Sequence, residues 1–312
     1  MSTATGIALV TGGAGFIGSH LVEALLARGR RVRVLDDLSS GRREFLPEHP
    51  ALELLIGDLR DADTLRRALV SADVVFHQAA LRSVPRSVED PLAYHDVNVT
   101  GTMRLLLAAR DAGVRRLVFA SSSSVYGDQP VLPLHEEMRP EPVSPYGASK
   151  LIGEHYCGNF TRHYGLETVS LRYFNVFGPR QDPNSEYAAV VARFVLAALR
   201  GEPLEIHGDG QQTRDFTYVA NVVDANLAAA AAPGVAGQVF NIACGERLSV
   251  IDIATRLEKV LGRSLSRRHT PRRAGDVRDT LADIGRGRRG LNYTPALDFT
   301  EGLRRTVAAF SS

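Results

Sequence analysis

Short apolar runs alternate with amphipathic segments along this chain, and the alternation constrains the fold more than any other feature. Seven runs rich in valine, leucine and isoleucine occur in the order "IALVTG", "RVRVLD", "LELLIGD", "DVVFHQ", "RRLVFAS", "ETVSLRYF" and "QVFNIA". Strands that are apolar on both faces and joined by helices are typical of parallel sheets covered by helices on both sides. The sequence therefore predicts an α/β fold with a doubly wound parallel sheet.

A change of composition after Asn175 predicts a second, smaller unit. Glycine, proline and arginine become frequent in "FGPRQDPNSEY", and a helix and a short strand near "LEIHGDG" follow. Another helix and the last apolar run then return the chain to the sheet. A chain of 312 residues is long enough for two such units. We predict a dinucleotide-binding domain over 1–176 and 213–243 and a smaller α/β substrate-binding lobe over 177–212 and 244–312.

The composition is that of an ordinary globular protein, with 44% hydrophobic residues, 23% charged residues and a formal net charge of +2. Nucleic-acid-binding proteins carry a basic excess that this chain lacks, so we expect no nucleic acid partner. The start, "MSTATGIALVTGG", has no signal-peptide pattern, and no window approaches the roughly 18 apolar residues of a membrane span. We expect a cytoplasmic protein with no membrane partner.

The cysteines and histidines do not form a metal-binding pattern. Cys157 and Cys244 lie far apart in the sequence, and the nine histidines form no H-E-x-x-H or Cys/His cluster. We therefore expect two structural thiols and no metal site.

A glycine-rich stretch, "VTGGAGFIGSH", follows the first apolar run and opens the first predicted helix. Gly12, Gly15 and Gly18 permit a tight turn and a close approach of the backbone, while the N–H groups of the helix N-terminus attract a pyrophosphate. Phe16 and Ile17 belong to the same cofactor-facing stretch. The stretch predicts a Rossmann-like dinucleotide site.

Acidic residues at the end of the second apolar run indicate which dinucleotide binds. Asp36 follows the glycines by about 20 residues, where a carboxylate accepts the ribose hydroxyls. Asp37 beside it would repel a 2′-phosphate, which favours NAD over NADP. Arg42 and Arg43 leave NADP open as an alternative, because either could reach such a phosphate.

Lys150 stands out because Lys150 and Lys259 are the only lysines among 37 Lys and Arg residues. Ser144 suits a helix cap and Pro145 suits the first helical position, which places Tyr146 in the first turn. Tyr146 and Lys150 are then i and i+4, on one helix face. A phenol with a pKa near 10 is a poor base at neutral pH, and a nearby ammonium and the helix N-terminus stabilise its phenolate.

Four stretches, "TGGAGFIG", "FASSSSVYG", "SPYGASK" and "LRYFNVFGPRQ", together resemble the extended short-chain dehydrogenase/reductase superfamily and, within it, the NAD-dependent UDP-sugar 4-epimerases. The resemblance covers nearly the whole chain. It implies reversible C4 epimerisation of a UDP-hexose, UDP-glucose or UDP-galactose, with tightly held NAD, and it leaves open whether the N-acetylated counterparts are also substrates. It also implies a homodimer in which the helices near Gly101–Ala112 and Lys150–His163 pair across a two-fold axis.

The resemblance also assigns site residues. It makes Ser122 the third catalytic residue beside Tyr146 and Lys150 and makes Ser123 a second hydroxyl near the sugar, although the run Ser121–Ser124 leaves this choice open by one position. The further cofactor residues that it implies are Asp58, Leu59, Gln78, Ala79, Arg82, Asn98 (behind the site) and Tyr173. The nucleotide-sugar residues that it implies are Asn175, Ala189, Val190, His207, Arg214, Arg273, Asp276 and Thr280.

Three alternatives remain open from the sequence. UDP-glucuronate epimerases are close relatives, so a sugar with a 6-carboxylate is one alternative. Nucleotide-sugar dehydratases of the superfamily carry an Asp or Glu where this chain has Ser123 and Ser124, which argues against elimination chemistry. A non-catalytic dinucleotide sensor is the third alternative, although such proteins usually lack the Tyr or the Lys of the pair.

Overall fold

The structure is a computed structural model, and it describes residues 6–183, 190–271 and 278–311. Strands and helices alternate through most of this part of the chain, and short two-residue strands occur after Tyr173. The strands are β1 (Ile7–Thr11), β2 (Arg31–Asp36), β3 (Leu52–Ile56), β4 (Ala72–His77), β5 (Arg116–Ser122), β6 (Glu167–Tyr173), β7 (Val176–Phe177), β8 (Leu204–His207), β9 (Thr213–Arg214), β10 (Thr217–Tyr218), β11 (Gln238–Ile242), β12 (Leu248–Ser249) and β13 (Arg267–Thr270).

The helices connect these strands and cover the sheet. They are α1 (Phe16–Ala27), α2 (Ala62–Ala68), α3 (Val84–Glu89), α4 (Pro91–Tyr94), α5 (Thr102–Asp111), α6 (Pro145–Tyr164), α7 (Val190–Arg200), α8 (Val219–Ala231), α9 (Val250–Leu261), α10 (Gly285–Leu291) and α11 (Phe299–Ser311), with a π-helical segment over His95–Gly101. Within the described ranges no helix has the length and apolar character needed to span a membrane.

The central sheet has the strand order β11-β6-β5-β4-β1-β2-β3, and every neighbouring pair is parallel. The seven apolar runs of the sequence are these seven strands, so the predicted doubly wound parallel sheet is confirmed. The strand order reverses beside β1, where β2 lies on one side and β4 on the other. In open parallel sheets a crevice for ligands forms at such a reversal, outside the carboxyl ends of the strands.

Successive residues of each strand face opposite sides of the sheet, and each side has its own core. Val10 and Phe76 pack with α1 and α8 on one side, and Leu9 and Val75 pack with α2, α5 and α6 on the other. All four side chains are fully or almost fully buried. Burial on both faces is why the strands read as nearly continuous apolar runs rather than as alternating polar and apolar residues.

A further core lies among α7, α9 and α11. Its aromatic centre contains Phe177, Phe216 and Phe299, whose ring centroids lie 5.0 Å (Phe177–Phe299) and 5.6 Å (Phe216–Phe299) apart. This core draws on residues on both sides of the predicted domain boundary at 212/213. The division into the two predicted domains stays a prediction.

Helix α6 begins where its capping residues predict. The side-chain oxygen of Ser144 accepts a hydrogen bond of 3.1 Å from the Gly147 N–H, and Pro145 is the first helical residue. The helix therefore starts before Lys150, although the pattern of apolar and polar residues predicts a helical segment over Lys150–His163. Gly153 faces β5 closely enough that an added Cβ would lie 2.4 Å from the ring of Phe119.

This contact predicts opposite effects for two alanine substitutions on α6. Gly153→Ala should lower the free energy of unfolding by about 1–3 kcal/mol, because the buried Phe119 ring must move to admit the methyl group. Gly158→Ala is the matched control, since an added Cβ there meets no atom within 4 Å. It should be neutral or stabilising by up to about 1 kcal/mol because alanine favours helix more than glycine. Urea unfolding measures both, and equal effects would contradict the packing described.

Candidate active site

The glycine turn between β1 and α1 allows an unusually close backbone approach. Gly12 has φ = 67°, and a Cβ on it would lie 2.7 Å from the backbone nitrogen of Ala79. A Cβ on Gly18 would lie 2.1 Å from the carbonyl oxygen of Gly12. Gly15 occupies the N-cap position of α1 without a capping side chain, which leaves the first N–H groups of the helix available to a ligand.

A cleft of about 400 Å³ opens beside this turn, at the carboxyl ends of the strands. Its walls include fourteen of the fifteen residues predicted to contact the cofactor. They are Gly12, Gly15, Phe16, Ile17, Gly18, Asp36, Asp58, Leu59, Gln78, Ala79, Arg82, Tyr146, Lys150 and Tyr173. The structure therefore gathers around one cavity residues that the sequence spreads over some 160 positions.

Asn98 does not line the cleft but lies buried behind it. Its Oδ1 accepts a hydrogen bond of 2.9 Å from Leu81 N, and its Nδ2 donates to Leu81 O (2.9 Å) and to Ser149 Oγ (3.0 Å). Asn98 therefore supports the part of the wall that contains Leu81 and connects it to α6, behind the site as the family resemblance implies.

Asp36 is buried at the carboxyl end of β2 and faces the cleft. One carboxylate oxygen accepts from Ala14 N and the other from Leu38 N, both at 2.9 Å. Burial raises the pKa of this carboxyl group, while these two N–H groups lower it. Each oxygen keeps a further lone pair for a ligand hydroxyl. Asp37 is exposed beside it, as the sequence argument against a 2′-phosphate requires.

Tyr146 on α6 and Ser122 at the end of β5 both line the cleft, and their side chains form a hydrogen bond. Burial raises the pKa of the Tyr146 phenol, while the Ser122 hydroxyl and then the Arg82 guanidinium lower it. The sequence suggested that Lys150 and the helix N-terminus stabilise the phenolate. In the protein alone desolvation is the larger effect, and Ser122 and Arg82 are the groups that oppose it.

Lys150 is 4% exposed and lies one turn after Tyr146. Its Nζ donates a hydrogen bond of 2.9 Å to Ala120 O and lies 6.0 Å from the centroid of the Tyr146 ring. Burial lowers the pKa of Lys150 to about 8. The ammonium is thus anchored to the end of β5 beside Ser122, with two N–H donors left for other partners.

The serine run divides into different roles. All four serines from Ser121 to Ser124 line the cleft, but the Ser121 hydroxyl donates to a carboxylate oxygen of the buried Glu154. Ser122 accepts from Ser124 N at 3.1 Å and interacts with Tyr146. The position of Ser122 beside the phenol supports it over Ser121 as the hydroxyl that would contact a substrate.

A smaller pocket of about 200 Å³ adjoins the cleft and shares Asn175 and Val176 with it. Val190 and Arg214 also line this pocket, so three of the residues predicted to contact the nucleotide sugar come together here. Asn175 donates through Nδ2 to Asp215 O at 3.0 Å, and this bond connects Asn175 to the segment that contains Arg214.

The other predicted nucleotide-sugar residues lie further out or outside the described residues. His207 lies on β8, where its Nδ1 is 2.7 Å from Thr270 Oγ1. Thr280 donates through its backbone N–H to Thr213 O at 3.1 Å. Neither residue lines the two pockets. Ala189, Arg273 and Asp276 lie outside the described residues.

Two groups of polar residues near the cleft were missed by the sequence reasoning. Asn226 on α8 is completely buried, and its amide bonds to the Tyr173 hydroxyl (2.8 Å) and to Gln78 (3.1 Å). Glu154 and Arg172 form a buried ion pair with both side chains 4% exposed. The asparagine within an alanine-rich helix and the glutamate one turn after Lys150 were the available signals.

Asp215 lies beside Arg214 and has no exposed surface. Its carboxylate accepts from three backbone N–H groups, those of Cys244 (3.0 Å), Gly245 (3.0 Å) and Ala282 (3.2 Å). Burial raises the pKa of Asp215 from 3.8 to about 6, even though these hydrogen bonds lower it.

Curated relatives and solved structures are similar to this chain over nearly its full length. The UDP-glucose 4-epimerase of Mycolicibacterium smegmatis is 45% identical over 309 residues, which are 97% of this chain and 97% of the relative. The UDP-N-acetylglucosamine 4-epimerase of Methanobrevibacter ruminantium, solved with UDP-N-acetylmuramic acid, has 42% identity and a TM-score of 0.94 over 98% of each chain. The Thermus thermophilus UDP-glucose 4-epimerase, solved with NAD, has 39% identity and a TM-score of 0.90 over 98% of this chain and 99% of that one.

The raised pKa of Asp215 predicts a measurable pH dependence of stability. The folded state holds this proton up to about pH 6, whereas the unfolded state releases it near 3.8. The stabilising contribution is thus complete below 3.8 and is lost as the pH rises through about 6, by a total of about 3 kcal/mol.

Urea unfolding of the wild type and of Asp215→Asn at several pH values between about 4 and 7 measures this contribution. The free energy of unfolding of the wild type should decline relative to that of the variant as the pH rises. A difference that does not change with pH would contradict the assigned pKa.

A family model described as "NAD dependent epimerase/dehydratase family" matches residues 8–243. The matched range contains β1 except for Ile7 and all of β2 to β11, and therefore nearly the whole parallel sheet, the glycine turn and the Tyr146–Lys150 pair. With this match and the relatives of 39–45% identity, the chain belongs to the NAD dependent epimerase/dehydratase family.

Proposed function

We propose that this protein catalyses the reversible C4 epimerisation of a UDP-hexose, with NAD as a retained cofactor. The observation that carries the proposal is that Ser122, Tyr146 and Lys150 line the same cleft as the glycine turn and Asp36. Acid–base groups and a dinucleotide cradle in one cavity support chemistry in which a proton and a hydride leave neighbouring atoms of the substrate. The 4-epimerases among the relatives support the choice of reaction.

The described residues fit NAD. Gly12 and Gly18 allow the turn to pack tightly, since a Cβ on either would collide with backbone atoms. The turn places the N-terminus of α1 beside the cleft, where its N–H groups would bind a pyrophosphate. Asp36 offers free lone pairs to ribose hydroxyls, and Asp37 disfavours a 2′-phosphate. Lys150 would hold the second ribose through its two remaining N–H donors.

Tyr146 and Ser122 have different roles in the proposed acid–base chemistry. When bound, the nicotinamide supplies a reversible acceptor for the hydride of C4. Tyr146 removes the proton of the 4-hydroxyl group as base and returns it as acid. Ser122 donates a hydrogen bond to the same oxygen as it becomes a ketone. Because the sugar receives the hydride back on its other face, the net reaction is inversion at C4 with no net oxidation.

The adjoining pocket suits the nucleotide part of the substrate. Arg214 supplies a positive charge for the diphosphate, and Asn175 supplies an amide at the junction between pocket and cleft. Ala189, Arg273 and Asp276 complete this site by the family resemblance alone. By the predicted boundaries Asn175 and Arg214 belong to the larger domain and Val190 to the smaller one, so the nucleotide sugar would contact both domains and NAD would bind to the larger one.

The first prediction of this proposal concerns turnover without added cofactor. Purified protein incubated with UDP-galactose should form UDP-glucose, and NMR of the sugar C4 proton follows the conversion. UDP-N-acetylgalactosamine and UDP-galacturonate, tested separately, identify the accepted sugar class by relative rates. Appearance of a 4-keto-6-deoxy product would instead indicate a dehydratase, and no conversion after NAD is restored would favour a sensor.

The second prediction concerns Tyr146. Tyr146→Phe should lower kcat by at least about 100-fold, because it removes the proton-transferring group without emptying the cleft. Bound NAD should remain, as measured by absorbance of the nucleotide released on denaturation. Tyr156→Phe is the matched control on the same helix, and its kcat should equal that of the wild type. Near-full activity of Tyr146→Phe would refute the assignment.

We also propose a homodimer through α5 and α6. Leu107 on α5 is 37% exposed and Tyr164 on α6 is 52% exposed, although both are large hydrophobic residues. The two helices pack side by side, so they present one surface to a second copy. Sedimentation equilibrium should give twice the 33.9 kDa chain mass, and Leu107→Glu should shift the equilibrium to the monomer. A wild type that sediments as a monomer at micromolar concentration would contradict this.

The cytoplasmic location stays a prediction.

A further inference from the structure

A buried histidine lies between two threonines behind the cleft, and the proposed mechanism does not use it. His77 is the last residue of β4, directly before Gln78 on the cleft wall, and is 2% exposed. Its Nδ1 lies 2.8 Å from Thr11 Oγ1, and its Nε2 lies 2.9 Å from Thr102 Oγ1. Thr11 ends β1 and Thr102 begins α5, so the ring joins three elements around the cleft.

The direction of each hydrogen bond follows from the neighbouring groups. Thr102 Oγ1 donates its single proton to Asn98 O at 2.6 Å, so it can only accept from His77. Nε2 of His77 therefore carries the hydrogen. In the neutral ring Nδ1 then has a free lone pair and accepts from Thr11 Oγ1, which itself accepts from Ala79 N at 3.4 Å. Burial, followed by the charge of Lys150, lowers the pKa of His77 to about 3, in agreement with a neutral ring.

The chain of bonds continues from Thr102 to the helix that carries Tyr146. Asn98 binds both backbone groups of Leu81 and donates to Ser149 Oγ. Ser149 Oγ in turn donates to Tyr146 O at 2.8 Å. Asn98 lies in the π-helical segment His95–Gly101, a local distortion that proteins often place at functional sites. Thr102 satisfies the Asn98 carbonyl within this segment.

We propose that His77, as the neutral Nε2–H tautomer, is a positioning residue that fixes the cleft wall after β4 relative to Tyr146. This inference rests on the proposed function. Nδ1 of His77 accepts a hydrogen bond from Thr11, next to the glycine turn. Nε2 donates a hydrogen bond to Thr102, next to the π-helical segment. Neither an apolar side chain nor a charged ring would satisfy both threonines in this arrangement. The ring thus couples the cofactor side of the cleft to the helix of the proposed base.

Nitrogen NMR of the protein labelled with ¹⁵N-histidine tests the tautomer directly. In the holoenzyme at neutral pH, the His77 signals should be those of a protonated Nε2 and an unprotonated Nδ1. The signals are assigned by their loss in His77→Gln, which keeps a donor near the Nε2 position. A protonated Nδ1 on His77, either as the other tautomer or as the imidazolium, would overturn the inference.

Substitutions of Thr102 test the positioning role. Thr102→Val removes the hydroxyl that accepts from His77 and donates to Asn98, so kcat should fall about 10–100-fold with KM for the UDP-sugar changed by less than about twofold. Thr102→Ser keeps the hydroxyl and should restore kcat. Thr306→Val is the matched control, because Thr306 is a fully buried threonine of α11 whose hydroxyl donates to Gly302 O at 2.8 Å and to no other group among the described residues. Its kcat should equal that of the wild type.

The comparison separates positioning from loss of stability. All variants are assayed below their melting temperatures, and their melting temperatures and NAD content are recorded. A Thr102→Val kcat equal to that of Thr306→Val, or a Thr102→Ser kcat as low as that of Thr102→Val, would refute the positioning role. If the wild type converts no UDP-sugar, the proposed function fails. The NMR result then still establishes or refutes the Nε2–H tautomer of His77. A lower NAD content in Thr102→Val than in Thr102→Ser would support the positioning role, and equal NAD contents would refute it.

Discussion

The parallel pairing of β1 with β4 is the constraint on which the rest of the structure depends. Their last residues, Thr11 and His77, lie side by side in the ladder. The chain leaves β1 through the glycine turn and leaves β4 through the cleft wall, so both begin at the same edge of the sheet. Gly12 is needed because the turn passes within van der Waals distance of the Ala79 backbone. A single strand register therefore sets the depth and width of the cofactor side of the cleft.

Helix α6 supplies the other side of the site through its 3.6-residue periodicity. Tyr146, Lys150 and Glu154 recur at four-residue intervals and face the end of β5. Tyr146 and Lys150 line the cleft, and Lys150 is also anchored to Ala120 O. Glu154 is almost completely buried and pairs with Arg172. Burying an ion pair is costly unless its hydrogen bonds are satisfied. Glu154 accepts from Ser121 as well as from Arg172, whereas Arg172 Nη1 is buried without a hydrogen-bond partner among the described residues. This pair connects α6, β5 and β6 directly behind the reacting groups.

Much of the fold and the family was predictable because the relevant signals are local. The seven apolar runs became the seven strands, and Ser144 and Pro145 started α6 where capping chemistry places its first turn. The family and its NAD dependence were confirmed by the family model and the relatives. The individual roles of the site residues stay predictions. The sequence did not predict Asn226, because it meets Gln78 across 148 positions of the chain.

The sequence by itself determined the strands, the glycine turn and the i, i+4 spacing of Tyr146 and Lys150. Each of these follows from the conformational preferences and periodicity of neighbouring residues. Only the tertiary structure decided the electrostatics of the site. Burial raises the pKa of the Tyr146 phenol and lowers that of Lys150. The tautomer of His77 depends on the hydrogen bond that Thr102 donates to Asn98 O. The physical reason is that desolvation and hydrogen-bond direction depend on which distant segments pack together, and no local pattern records that.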